Sequence, residues 1–159
     1  MQLSTKGRYA VMALVDLATQ QNLDVTSGPI CLADIAQRQQ LSLSYLEQLF
    51  GKLRRAGLVW SARGPGGGYR LARPAAEIAI AEIVTAVDEP IRATRCEAGS
   101  GGCMMAAGSS VCSEKCQTHD LWFELGRQIA LFLGALTLAD VVNGRVSGRA
   151  VSLRPLSAV

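Results

Sequence analysis

Four cysteines and a histidine crowd the middle of this 159-residue chain: Cys96, Cys103, Cys112, Cys116 and His119, all within 24 residues. His119 is the one histidine in the sequence. Thiolates together with an imidazole suit zinc or an iron–sulfur cluster. The surrounding sequence is rich in Gly and Ser, whereas inert buried thiols usually sit in apolar sequence. Cys31 is the contrast: between Ile30 and Leu32 it reads as plain core. The gaps within the cysteine cluster are six, eight and three residues, so only Cys112 and Cys116 have the spacing of a zinc knuckle. The wide first gaps favour a cluster held in a loop and leave zinc open as the other occupant. Three thiolates and one neutral imidazole around a 2Fe–2S core would carry less negative charge than four thiolates, which raises the reduction potential. No nucleophile–base pair accompanies these residues, so an enzyme is not expected.

A second constellation lies upstream. Leu46, Leu49, Phe50 and Leu53 repeat at i, i+3, i+4, i+7, the stripe of an amphipathic helix. Its polar side carries Ser44, Tyr45, Glu47, Gln48, Lys52 and Arg55. In a major groove Gln48 could pair with adenine and Glu47 could accept from cytosine N4. Ser44, Tyr45, Lys52 and Arg55 are better suited to phosphates. A polar face alone is what any surface helix has. Ser44 and Glu47 also fit a capping box, which would turn Glu47 towards backbone N–H groups. The next residues favour the DNA reading. Residues 58–60 and 69–71 have strand character around Gly64-Pro65-Gly66-Gly67-Gly68, and Arg63 stands at the tip of that hairpin. A narrow minor groove attracts a single inserted Arg.

Other elements must position these two sets. Ala10, Ala13, Leu14 and Leu17 predict a first helix, capped by Ser4 or Thr5. Residues 30–40 predict a short second helix with Leu32, Ile35 and Ala36 inward, followed by a tight connection at Leu41. With the Leu46 helix this makes a helix-turn-helix, and the hairpin makes a wing. Ile80, Ile83, Val84 and Val87 predict another helix; residues 92–117 show no periodicity. Trp122, Leu125, Ile129, Phe132 and Leu136 are spaced 3, 4, 3, 4, the rhythm of a helix seam, and Gly126, Ala130 and Gly134 form a small-residue face. The expected fold is mainly α. It comprises a winged helix-turn-helix over 1–73, a ligand loop over 92–119 and a long dimerisation helix over 118–143 within 74–143, and a disordered tail over 144–159.

Charge agrees with that division. Residues 1–73 hold nine Lys/Arg against four Asp/Glu, and residues 74–159 hold seven against nine. A basic first half offsets phosphate charge. No secretory leader is visible, and the most apolar stretch, 129–142, is shorter than a membrane span and contains Asp140. A cytoplasmic protein with reduced thiols and no membrane partner is the expectation.

The stretches Leu3-Ser4-Thr5-Lys6-Gly7-Arg8-Tyr9-Ala10, Leu43-Ser44-Tyr45-Leu46-Glu47-Gln48-Leu49-Phe50 and Arg63-Gly64-Pro65-Gly66-Gly67-Gly68-Tyr69 resemble the signature stretches of the IscR family of iron–sulfur cluster-sensing regulators. So do Ala86-Val87-Asp88-Glu89, Ala93-Thr94-Arg95-Cys96 and Thr118-His119. The resemblance implies a homodimeric winged-helix repressor and activator that binds promoter DNA. It also implies a 2Fe–2S cluster whose occupancy controls cluster-biogenesis genes. By position it implies Cys96, Cys103, Cys116 and His119 as ligands, and Ser44, Tyr45, Glu47 and Gln48, with Arg63 in the wing, as DNA contacts. The loop between Cys103 and Cys116 looks longer than the family's and adds Cys112, which is the alternative third ligand. Nitric-oxide or redox sensors of the same family, with a 4Fe–4S cluster, are the second expectation, and a zinc-stabilised DNA-binding protein is the third.

Overall fold

In the computed structural model, residues 5–23, 28–64, 66–87, 104–105, 112–114 and 117–147 are described, the side chains of 104–105 and 112–114 excepted. The first helix, α1 (Thr5–Leu23), buries Ala10, Ala13, Leu14 and Leu17 completely, which is the predicted stripe. Thr5 is already inside that helix. Helix α2 (Leu32–Gln39) turns Leu32, Ile35 and Ala36 inward. It ends at Gln40, whose φ of +52° is left-handed, with Leu41 N–H donating to the Ala36 carbonyl and Gln40 N–H to that of Gln37. That pattern closes a helix and reverses the chain without needing Gly. Helix α3 (Leu43–Arg55) follows at once and buries Leu46, Leu49, Phe50 and Leu53. Its end uses the same device with Gly57 at φ +71°: Leu58 N–H bonds the Leu53 carbonyl and Gly57 N–H that of Arg54.

The hairpin pairs β1 (Val59–Ala62) with β2 (Gly68–Leu71) in antiparallel register, Val59 opposite Leu71 and Ser61 opposite Tyr69. Residue 30, expected in the second helix, instead forms an antiparallel bridge to the wing: Ile30 and Tyr69 exchange N–H to carbonyl bonds of 2.9 and 2.8 Å. Glycine is required where this bridge passes, because a Cβ on Gly68 would lie 2.2 Å from the Ile30 carbonyl oxygen.

After a short 3-10 turn at Ala75–Glu77, α4 (Ile80–Ala86) buries Ile80, Ile83 and Val84. A two-stranded pair follows, β3 (Met104–Met105) with β4 (Cys112–Glu114). Helix α5 (His119–Ala135) ends well short of residue 143, the expected limit of the dimerisation helix. The chain breaks because Leu136 and Thr137 turn to bridge α4: Ile80 N–H bonds the Leu136 carbonyl, and Leu138 N–H bonds that of Ile78. Thr137 and Asp140 then cap a new helix, α6 (Leu138–Val142). Leu136 therefore leaves the predicted seam. It is buried with Leu138 in one apolar cluster that runs from Ala10 to Leu138 and takes in α1, α2, α3, α4 and α6. Residues 148–159, most of the expected tail, lie outside the described residues.

Candidate nucleic-acid interface and metal centre

The polar face of α3 is built as the periodicity requires. Ser44, Glu47, Gln48 and Arg55 are exposed, opposite the buried leucines and Phe50. The expected capping box at Ser44 and Glu47 does not form, because the residue at the N-cap is Ser42 and Ser44 lies in the first turn, its hydroxyl 3.0 Å from that of Ser42. Glu47, Gln48 and Arg63 have no hydrogen-bond or ion-pair partner among the described residues, so all three are open to an external one. Tyr45 is half-buried, edge-on to Tyr9 at 6.1 Å between ring centroids, which fixes its ring against α1. Lys52 is half-buried and already engaged, and Arg55 donates from Nε to the Gly51 carbonyl at 3.2 Å. Lys52, Arg54 and Arg55 crowd the last turn of α3, where cations also offset the helix dipole.

Two residues that sequence reasoning passed over hold this surface in place. Asp16 is buried on α1 and accepts a forked pair from Arg38, 3.1 Å from Nε and 2.6 Å from Nη2 to Oδ1, plus 2.8 Å from Gln39 Nε2. The hydrogen bonding it donates to Asp16 chiefly, with the charge of that carboxylate, holds the Arg38 guanidinium above its usual pKa. This clamp fixes α2 to α1, and α2 fixes α3. The second is Arg54, whose Nη1 donates to the Ser61 hydroxyl on β1 at 3.2 Å.

The wing tip needs its glycines. Gly64 and Gly66 have φ of +103° and +74°, and a Cβ on Gly67 would meet the Ala62 carbonyl oxygen at 2.5 Å. Arg63 stands exposed beside that turn, at the tip of the wing just past β1.

Cys31, expected in the core, is exposed at the N-cap of α2, where extended backbone turns it out of the apolar stripe. Cys96, Cys103 and Cys116 lie outside the described residues, and of Cys112 only the backbone, opposite Met105, is described. Among the described residues no three His, Cys, Asp or Glu side chains gather around a metal position. His119 is described. It opens α5, its ring stacks on Phe123 at 6.3 Å, and its Nδ1 is buried without a hydrogen-bond partner. A buried imidazole nitrogen left unpaired is costly unless something ligates it or bonds to it. A metal ligand fits that atom. No described helix is long and apolar enough to cross a membrane.

A helix-turn-helix whose second helix is followed by a hairpin carrying an exposed basic tip defines a winged-helix DNA-binding protein. Residues 3–144 match the model of the Rrf2 family of iron-dependent transcriptional regulators. The chain belongs to that family and is a transcription regulator. It is similar to the HTH-type transcriptional regulator IscR of Klebsiella pneumoniae (strain 342), 50% identical over 153 residues that cover 94% of this chain and 86% of the relative. Among solved structures, T. potens IscR superposes with a TM-score of 0.68 at 32% identity, covering 95% of this chain and 93% of that one. CymR, the global cysteine regulator of B. subtilis, superposes with a TM-score of 0.70 at 31% identity, covering 91% and 98%.

Proposed function

We propose that the chain is a cytoplasmic homodimeric repressor and activator that binds double-stranded promoter DNA and reports iron–sulfur status through a 2Fe–2S cluster. On this reading it controls cluster-biogenesis genes and carries no catalytic residues. The observation that carries the cluster is the buried, partnerless Nδ1 of His119, which directly follows the cysteine segment. Cys96, Cys103 and Cys116 would complete the set. A bound cluster supplies one-electron redox chemistry. The chain's own part is to join its two halves. Ligation by His119 ties segment 92–117 to the start of α5, and the far end of α5 is bridged to α4 through Leu136 and Ile80. On the DNA side, Glu47 and Gln48 read the major groove, with Ser44, Tyr45, Lys52 and Arg55 along its phosphates. Arg63 enters the minor groove.

The test is purification without oxygen, followed by a visible spectrum and iron, zinc and sulfide analysis. Coloured protein with iron and sulfide in equal amounts is expected. The colour should be lost in Cys96→Ala, Cys103→Ala, Cys116→Ala and His119→Ala and kept in Cys112→Ala. Colourless protein with zinc and no sulfide would replace the cluster with a structural metal. Colour lost in Cys112→Ala but kept in Cys116→Ala would exchange the third ligand.

A further inference from the structure

A winged-helix protein that inserts a helix in one groove and an arginine in the next must hold a fixed distance and angle between the two. We infer that Arg54 and Ser61 form a brace that sets the wing of this chain relative to its reading helix, so that both are positioning residues for Arg63. This inference rests on the DNA reading above.

The geometry is a two-point contact. Phe50 and Arg54 lie one turn apart on α3, so they point in nearly the same direction. Phe50 packs on Tyr69, with ring centroids 4.9 Å apart at 71°, and Arg54 donates to Ser61. Tyr69 and Ser61 are themselves paired across the hairpin. One turn of helix thus meets one rung of the wing at both strands. The ring contact is apolar and fixes separation, but an aromatic edge on an aromatic face leaves rotation soft. The hydrogen bond is directional and stops the hairpin rocking about the Phe50–Tyr69 contact. Arg63 lies two residues beyond Ser61, just past the end of β1, so a small rocking at Ser61 becomes a larger displacement at the tip. The other described bonds from outside the hairpin do not supply this control: Ile30 exchanges backbone bonds with Tyr69 and Gln21 Oε1 accepts from Leu71 N–H at 3.3 Å, both on β2, whereas Arg54 holds β1, the strand that leads to Arg63. Arg55, the basic neighbour, turns back to its own helix at Gly51 and does not reach the wing.

The alternative for an exposed arginine beside a DNA-reading helix is a direct phosphate contact. Ser61 separates the two, because removing its hydroxyl breaks the brace and leaves every charge in place. The experiment uses the full chain and a duplex selected by the wild-type protein from a randomised pool. Affinities are measured for Ser61→Ala, Arg54→Ala, Arg63→Ala, Gln48→Ala and the doubles of Ser61→Ala with Arg63→Ala and with Gln48→Ala. Thermal melts check that each variant folds. Ser61→Ala should weaken binding about threefold to tenfold, the range of one hydrogen bond, with the salt dependence unchanged. That loss should vanish in the Arg63→Ala background and persist in full in the Gln48→Ala background, because the brace acts only through Arg63. Wild-type affinity in Ser61→Ala, or an undiminished loss on top of Arg63→Ala, overturns the brace alone. Wild-type affinity in Arg63→Ala overturns the wing reading and the brace with it.

Discussion

Glu47 stands on the exposed face of α3 with no partner among the described residues, and that decides what its loss should do. Had it closed a capping box, an alanine there would cost about 1 kcal/mol of stability and leave DNA preference alone. With Ser42 at the N-cap, Glu47→Ala should change stability by less than about 0.5 kcal/mol, as for an ordinary surface site. Its effect belongs to discrimination. A carboxylate facing base edges accepts from cytosine N4 and repels the acceptors of other pairs, so its loss should relax preference by about 1–3 kcal/mol at one position while weakening the best site far less. Competition between duplexes that differ at single base pairs, with a thermal melt beside it, measures both. Unchanged preference with lowered stability would return Glu47 to the role of a cap. The sequence shows Glu47 and Gln48 clearly, since they fall opposite a perfect apolar stripe. It shows Arg54 poorly, because three basic residues in one turn look alike until the strand they face is known. Cys31 misleads for a related reason: apolar neighbours suggest burial, but an N-cap residue is extended and leaves the helix period.

At the level of elements, two joints carry the winged helix-turn-helix. The first is the clamp on Asp16, whose side chain is 4% exposed while that of Arg38 is 37% exposed. The asymmetry sets the order of the mutants. Arg38→Met strands a buried carboxylate with Gln39 alone and should cost about 3 kcal/mol, whereas Asp16→Leu removes the buried charge, frees Arg38 to water and should cost about 1 kcal/mol. Denaturant midpoints measure this, and equal costs would mean that burial does not govern the pair. The second joint is Gly68, where Gly68→Ala drives a Cβ into the Ile30 carbonyl. A loss of about 1–3 kcal/mol is expected, the usual range for overpacking, with faster hydrogen exchange at the Ile30 and Tyr69 amides. Exchange unchanged at those amides would show that the Ile30–Tyr69 bridge is not held by this contact. Periodicity reveals the three helices because each buries one continuous stripe. It cannot reveal a bridge of one residue, which leaves no alternation, so Ile30 reads as the start of a helix. The break after Ala135 is hidden for the opposite reason. Leu136 keeps the heptad rhythm but uses its backbone to meet Ile80, and the Thr137-x-x-Asp140 capping signature is the trace of it in the sequence.

The whole molecule leaves apolar surface uncovered. Leu121, Trp122 and Phe123 are exposed in the first turn of α5, and Leu131 is 48% exposed further along. Soluble proteins rarely present such side chains together without a partner, and α5 is long enough to serve as a dimer seam with a second copy. Leu131 is the cleaner probe, because Leu121 to Phe123 adjoin the proposed ligand His119, where a substitution would confuse assembly with cluster loading. Leu131→Glu places a charge that a protomer alone tolerates, since the site faces solvent, but that a buried seam does not. Circular dichroism should stay that of the wild type. Sedimentation equilibrium should show a dimer for the wild type on this reading, and dissociation of the variant at the same concentration. DNA affinity should fall far more than for any single contact residue, because two half-sites bound by one linked pair become two separate weak events. The visible spectrum should be retained, since Cys96, Cys103, Cys116 and His119 all come from one chain in this reading. An intact dimer in Leu131→Glu would remove α5 from the interface, whereas a monomer that has also lost its colour would mean that the second copy helps to enclose the cluster.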